Sequence, residues 1–338
     1  MSFPSVLERY ITFLFLSLCW TLPIQCFVQP LLQFTPSSSL LHALKGRIRI
    51  TAGNCYEKCQ QMSRFHGTKE DINTEDTYKF TVVFLRHGES VWNKENRFIG
   101  WQDPELTEAG ITEARRAGQT LKKNGFEFDE VHTSLLKRCI KTSCLVLEEM
   151  GLEYIDIKKD WRLNERCYGA LTGRNKKEVV SEHGAQQVKT WRRSFGTPPP
   201  PVTEQSPTYP GNMPKYDFLD RSMLPTSESG QDTMKRSAGY WQEVIVPSIK
   251  KGKKVLVCGH ENNLRALLKY IDSISDEDFS EIELPRAQPL VYTFDSNTRP
   301  ITSRKCTFPL SGRFLIDDEE LERIRTEELR RVYAGAEV

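Results

Sequence analysis

Short apolar runs alternate with amphipathic repeats along most of the chain. Residues 80–85, Phe-Thr-Val-Val-Phe-Leu, are rich in β-branched and aromatic side chains and read as a strand buried on both faces. Leu106, Ala109, Ile111, Ala114, Ala117 and Leu121 then recur at helical spacing. Thr107 caps that helix, acidic residues open it, Lys122 and Lys123 close it, and Asn124-Gly125 stops it. The same reasoning predicts strands at 128–133 and 155–157, a helix at 135–150 ended by Gly151, a loop carrying function at 161–176, and a helix at about 177–193. Residues 195–226 are Pro-rich, with four prolines in a row from Pro198, and read as an insertion with little regular structure. A helix from Ser229 or Gln231 to Ile249 turns Met234, Ala238, Trp241, Val244 and Ile245 inward. A strand at 254–258, a helix at 263–271, a strand at 290–294 and a charged amphipathic helix at 317–336 complete the chain. Strands alternating with helices predict an α/β fold, a three-layer α/β/α sandwich around a mostly parallel sheet.

Two of the buried strands end in a histidine. Residues 80–85 lead into Arg86-His87-Gly88, and residues 255–258 lead into Gly259-His260. Ligands of open parallel sheets bind beyond the carboxyl ends of the strands, so both imidazoles are expected at one sheet edge. A neutral imidazole is a competent nucleophile for a phosphoryl group, and an adjacent guanidinium grips phosphate oxygens in a fork. An Arg-His-Gly tripeptide by itself more often marks a core histidine beside a surface arginine.

The 338 residues carry a net charge of +2, with 27% charged and 38% hydrophobic residues. That composition is ordinary for a globular protein and gives no charge excess toward nucleic acid. The amino terminus differs. Residues 11–24 are apolar apart from Thr and Ser, with Arg9 just before them, which suits a signal-peptide core at 1–26 better than a membrane span. Residues 27–69 hold six Lys/Arg against one acidic residue, Glu57, so 27–75 reads as a transit-like segment. Together they resemble the bipartite presequence of algae with complex plastids. Plastid import is the expectation, with the secretory pathway or the mitochondrion as alternatives, and no membrane attachment of the mature form. Of the nine cysteines, five lie beyond residue 75 without Cys-x-x-Cys spacing, so neither a disulfide framework nor a zinc site is predicted.

The polar stretches carry ordered motifs. They include Arg86-His87-Gly88-Glu89-Ser90-x-Trp92-Asn93, Asn96-Arg97-Phe98-x-Gly100-Trp101-x-Asp103 and Leu106-Thr107-x-x-Gly110. Thr133-Ser134-x-x-Lys137-Arg138-Cys139-Ile140-x-Thr142 follows, then the unbroken block from Trp161 to Lys176, then Trp191-Arg192-Arg193-Ser194 and Ser227-Glu228-Ser229. This series, over roughly residues 79–335, resembles the cofactor-dependent phosphoglycerate mutases of the histidine phosphatase superfamily. The resemblance implies a mutase domain over 76–338 that interconverts 3-phosphoglycerate and 2-phosphoglycerate through a phosphohistidine. It implies priming by 2,3-bisphosphoglycerate, no metal, and a homodimer or homotetramer. His87 would be the nucleophile, with Arg86, Arg138 and His260 around the transferring group and Glu165 as general acid/base. Ser90, Asn93, Ile99, Gly100, Glu261 and Asn262 would line the substrate site. Arg166, Tyr168, Lys176, Arg192 and Arg193 would hold the substrate's carboxylate and second phosphate.

Four positions depart from the pattern. Glu261-Asn262-Asn263 stands where the mutases have Gly-Asn-Ser, Arg286-Ala287-Gln288 lies between Pro285 and Pro289, Gly230-Gln231 follows Ser229, and Cys167 replaces a His or similar residue. A carboxylate about 4 Å from a substrate anion costs on the order of 4 kcal/mol at an effective dielectric near 20. An inward Glu261 is therefore expected to impair a mutase. A phosphatase, a bisphosphoglycerate mutase, or an impaired homologue that binds a phospho-ligand are the alternatives.

Overall fold

The computed structural model describes residues 80–333. The signal-like and transit-like segments lie outside them, as do residues 334–336 of the expected tail helix. A seven-stranded sheet forms the middle layer, ordered β3-β2-β4-β1-β5-β6, with β7 on β5. Strands β1 (Phe80–Arg86), β2 (Glu130–Thr133), β3 (Ile157–Lys159) and β4 (Val255–Gly259) run parallel. Strands β5 (Leu290–Phe294), β6 (Pro300–Ile301) and β7 (Arg313–Phe314) are antiparallel additions. Strands β6 and β7 are two residues long and leave no alternation in the sequence to detect.

Alternation along β1 divides the core. Val82 and Phe84 enter a cluster with Trp241, Leu264, Leu267 and Tyr292. Val83 and Leu85 enter the opposite cluster, with Ala117, Leu121, Val146 and Leu147. Helices α1 (Glu108–Lys123) and α2 (Lys137–Met150) cover the second face. Helix α5 (Gly230–Tyr240) and helix α6 (Glu261–Asp272) cover the first. The three-layer α/β expectation therefore holds. The start of α1 comes unusually near the His87 loop: a Cβ on Gly110 would lie 2.0 Å from the Glu89 carbonyl oxygen. Only glycine permits that approach.

Three details correct the sequence expectations. The helix predicted over 177–193 is two, α3 (Lys176–His183) and α4 (Ala185–Arg193). Gly184 separates them with φ +80° and ψ 151°, a backbone that propensity reading passes over. The run after α5 contains a π-helical turn, Trp241–Ile245, before Val246–Lys250. Pro247 sits just beyond that turn and has no N–H to continue the ladder. The 195–226 insertion is built of short 3₁₀ turns and is anchored, since buried Tyr209 and Tyr216 join Trp101, Cys167, Val202 and Leu224 in one cluster. The tail helix α7 spans Asp318–Tyr333.

Candidate active site

The β1–β4 register brings the two histidines together. Arg86 pairs with Gly259, so the next residue on each strand is a histidine, and the His87 N–H donates to the Gly259 carbonyl at 3.1 Å. Neighbouring strands lie roughly 4.8 Å apart, and the two imidazole centroids lie 5.1 Å apart, edge to face. The expectation that both rings reach one sheet edge is met in this geometry.

His87 is 3% exposed. Its Nδ1 lies 2.7 Å from the Gly88 carbonyl, which can only accept, so Nδ1 carries the proton. Nε2 is left with its lone pair, faced by Arg138 Nε at 3.2 Å. Burial first, then the charges of Arg138 and Arg86, holds the imidazole well below its ordinary value. The ring is therefore neutral near pH 7, with the lone pair of Nε2 available. Arg138 is pinned by two carbonyls, Gln102 at 2.8 Å and Gly100 at 3.0 Å. Gly100 adopts φ +58°, so its part is backbone geometry.

His260 is fully buried behind that ring, with Nε2 2.8 Å from the Ser134 hydroxyl and 3.3 Å from Cys139 Sγ. Burial, then Arg138 and His87, keeps it neutral as well. Glu165 is lodged at the amino end of α6, where its Oε1 accepts the backbone N–H groups of Arg166 (2.8 Å), Asn262 (3.2 Å) and Asn263 (3.3 Å). A helix amino terminus favours a carboxylate in this place. The loop carrying Glu165 is braced from below. Arg236 clasps Glu228 at 2.7 and 2.9 Å and donates to the carbonyls of Arg162, Asn164 and Glu165.

His87, Arg86, Arg138 and Glu165 open onto one pocket of about 480 Å³, counting its solvent-open part. Six cations line it, Arg86, Arg97, Arg138, Lys176, Arg192 and Arg193, against two carboxylates, Glu165 and Glu261. Asn93, Ile99, Tyr168 and Asn262 are also in its wall. Four expected site residues are not. Ser90 is fully buried and its hydroxyl bonds Asn93 in a capping box. Gly100 and His260 act through Arg138 and behind His87, as above. Arg166 is buried beneath the pocket, bonding the Tyr168 hydroxyl and the Arg192 carbonyl. It supports the wall instead of forming it.

Sequence reasoning passed over Arg97, Ser134 and Arg236. Arg97 lay inside a quoted motif, after Asn96 at φ 55°, and Ser134 lay directly after β2. Both had signals. Arg236 sat on a helix face with none. Of the four departures, Cys167 faces Pro225 in the insertion's cluster, and burial raises its thiol to about 12. Gly230 packs against Phe195 and Phe279. Arg286 reaches Glu113 at 3.6 Å and Glu89 at 3.9 Å, under the His87 loop. Only Glu261 enters the pocket.

Among solved structures, a mycobacterial glucosyl-3-phosphoglycerate phosphatase in complex with VO3 is 20% identical. It covers 70% of this chain and 96% of its own, with a TM-score of 0.51. A protein titled mycobacterial hydrolase 2 is 19% identical over 74% of this chain and 97% of its own, at 0.50. A phosphoglycerate mutase from Bacillus anthracis is 20% identical over 65% of this chain and 90% of its own, with a TM-score of 0.46. At such identities the likeness speaks for the fold. The pattern of the histidine phosphatase superfamily (branch 1) matches residues 82–307, two thirds of the sequence. The chain belongs to the histidine phosphatase superfamily (branch 1).

Proposed function

We propose that the protein is a phosphoglycerate mutase that interconverts 3-phosphoglycerate and 2-phosphoglycerate through phosphorylated His87. The observation that carries the reading is that six cations line the one pocket onto which His87 opens. Beside burial, the charges of Arg138 and Arg86 lower the imidazole's pKa, and Arg97, Lys176, Arg192 and Arg193 line the same pocket. A phosphatase of simple monoesters needs few of them. A substrate with a second anionic end uses more.

In this reading, His87 Nε2 attacks phosphorus in line and the P–O bond to the departing hydroxyl breaks. Arg86 and Arg138 hold the equatorial oxygens as charge shifts toward them. The Glu165 carboxylate takes the proton of the hydroxyl that attacks the phosphohistidine and returns it to the oxygen that departs when His87 is loaded again. The ring's fixed Nδ1–H bond to Gly88 keeps Nε2 aimed throughout. The pocket's chemistry fits 2,3-bisphosphoglycerate, a polyanion that would supply the phosphoryl group that first loads His87. Plastid delivery is the localisation that the amino-terminal composition supports.

A second reading has its own observation. Glu261 faces the same cations, which favours a phosphatase acting on a less anionic ester. Phosphorus NMR of the full chain with 3-phosphoglycerate and catalytic 2,3-bisphosphoglycerate separates the two. The mutase reading expects a growing 2-phosphoglycerate signal that depends on the bisphosphate. Inorganic phosphate as the sole product would overturn it in favour of the phosphatase.

A further inference from the structure

Glu261, the first residue of α6, is a carboxylate set inside a cation site. Its Oε2 lies 2.9 Å from Arg86 Nη2, and its Oε1 lies 3.8 Å from Arg193 Nη2. Arg86 belongs to the reacting end, where the neighbouring imidazole feels its charge. Arg193 is the last residue of α4 and lines the same pocket. One side chain therefore reaches both arginines. Burial alone would raise its carboxyl. The guanidiniums of Arg86, Arg193, Arg265 and Arg192 outweigh that and hold it well below the usual carboxylate range. These charges favour its ionised form. The side chain keeps 23% of its surface and stands in the pocket wall.

We propose that Glu261 is a specificity-determining residue that acts as a built-in competing anion. Its carboxylate holds Arg86 and Arg193 in the ligand-free protein, and the anionic groups of the substrate must displace it to bind. This extends the phosphoglycerate reading, which names the substrate used as probe, but the displacement itself concerns any polyanion. An anion that replaces Glu261 exchanges one ion pair for another, so its net gain is smaller than six lining cations would give.

The test is calorimetric titration of the full chain, as wild type, Glu261→Gln and Glu261→Asp, with 3-phosphoglycerate and separately with inorganic phosphate. Thermal unfolding is followed with and without each ligand. Glu261→Gln is expected to bind 3-phosphoglycerate about tenfold tighter and phosphate also tighter, with Glu261→Asp in between. Ligand-free Glu261→Gln should unfold at a lower temperature than wild type, because Arg86 and Arg193 lose one of their charged contacts, and should show the larger rise on adding ligand. A merely structural role would lower the unfolding temperature without tightening binding. Unchanged or weaker phosphate binding in both variants overturns the proposal, and if 3-phosphoglycerate is still interconverted the mutase reading survives that failure. Tighter phosphate binding by Glu261→Gln in a protein that never binds 3-phosphoglycerate supports the competing anion and removes the mutase reading.

Discussion

Arg138 Nε points at His87 Nε2 from 3.2 Å, while the opposite ring nitrogen is tied to the Gly88 carbonyl at 2.7 Å. The nucleophilic lone pair and the guanidinium that would receive the phosphoryl oxygens are thereby fixed before any ligand enters. Replacing Arg138 by Gln keeps a hydrogen-bond donor and removes the charge. It is expected to lower kcat by roughly 10²–10³, the scale of one lost charge-stabilising donor. Single-turnover phosphorylation of the protein measures it. A change under threefold would remove Arg138 from the transition state.

Glu165→Gln separates proton transfer from phosphoryl transfer. Interconversion of phosphoglycerates should fall by about 10²–10⁴, the usual worth of a general acid/base. Loading of His87 from p-nitrophenyl phosphate should persist, since a nitrophenolate departs without help from an acid. Equal loss with both phosphate donors would show that Glu165 only holds the backbone of α6.

The Arg236–Glu228 pair is 7% and 5% exposed at the side chain and supports the loop before Glu165. Removing one partner leaves a buried charge, so Arg236→Gln is expected to cost about 3–5 kcal/mol in denaturant unfolding. Because Arg236 also holds the Glu165 carbonyl at 3.0 Å, kcat should fall without a matching rise in KM. Glu228→Gln should show both effects more weakly. Lost stability with full kcat would make the pair purely structural.

Three buried histidines give the fold an acid dependence. Burial is the first cause lowering His87, His132 and His260, with His132 at about 4. As pH falls below about 6.5 the unfolded chain takes up these protons and the native state does not, so stability declines. For His132 the decline ends once pH is below about 4 and amounts to roughly 3 kcal/mol. Above 6.5 the imidazoles are neutral in both states and contribute no slope. Unfolding temperatures measured from pH 7.5 to 4.5 should drop most below 6.5, and less steeply in His132→Gln. Parallel curves for the two proteins would contradict this.

The reacting end was legible in the sequence because it depends on strands. Residues 80–85 and 255–258 are continuous apolar runs, and a parallel pair of that kind carries whatever follows it to one edge. The parts that escaped depend on side-chain direction or on single backbone angles. Gly184 splits a helix whose polar pattern continues across it. Arg236 makes its contacts through a guanidinium whose five donors leave no periodic trace. Glu261 was visible as a departure, and its inward direction was not. Opposed only by a substrate it would be a simple obstacle. Paired with Arg86 at 2.9 Å, it is instead a partner the cations already have.

The proposed reaction requires His87 to carry the phosphoryl group. Brief incubation of the full chain with 2,3-bisphosphoglycerate, followed by mass spectrometry under alkaline conditions that preserve phosphohistidine, tests it directly. One acid-labile phosphate is expected, on His87, that disappears when 3-phosphoglycerate is added and is absent from His87→Ala. Interconversion of phosphoglycerates by a protein that never bears phosphate on His87 would contradict it.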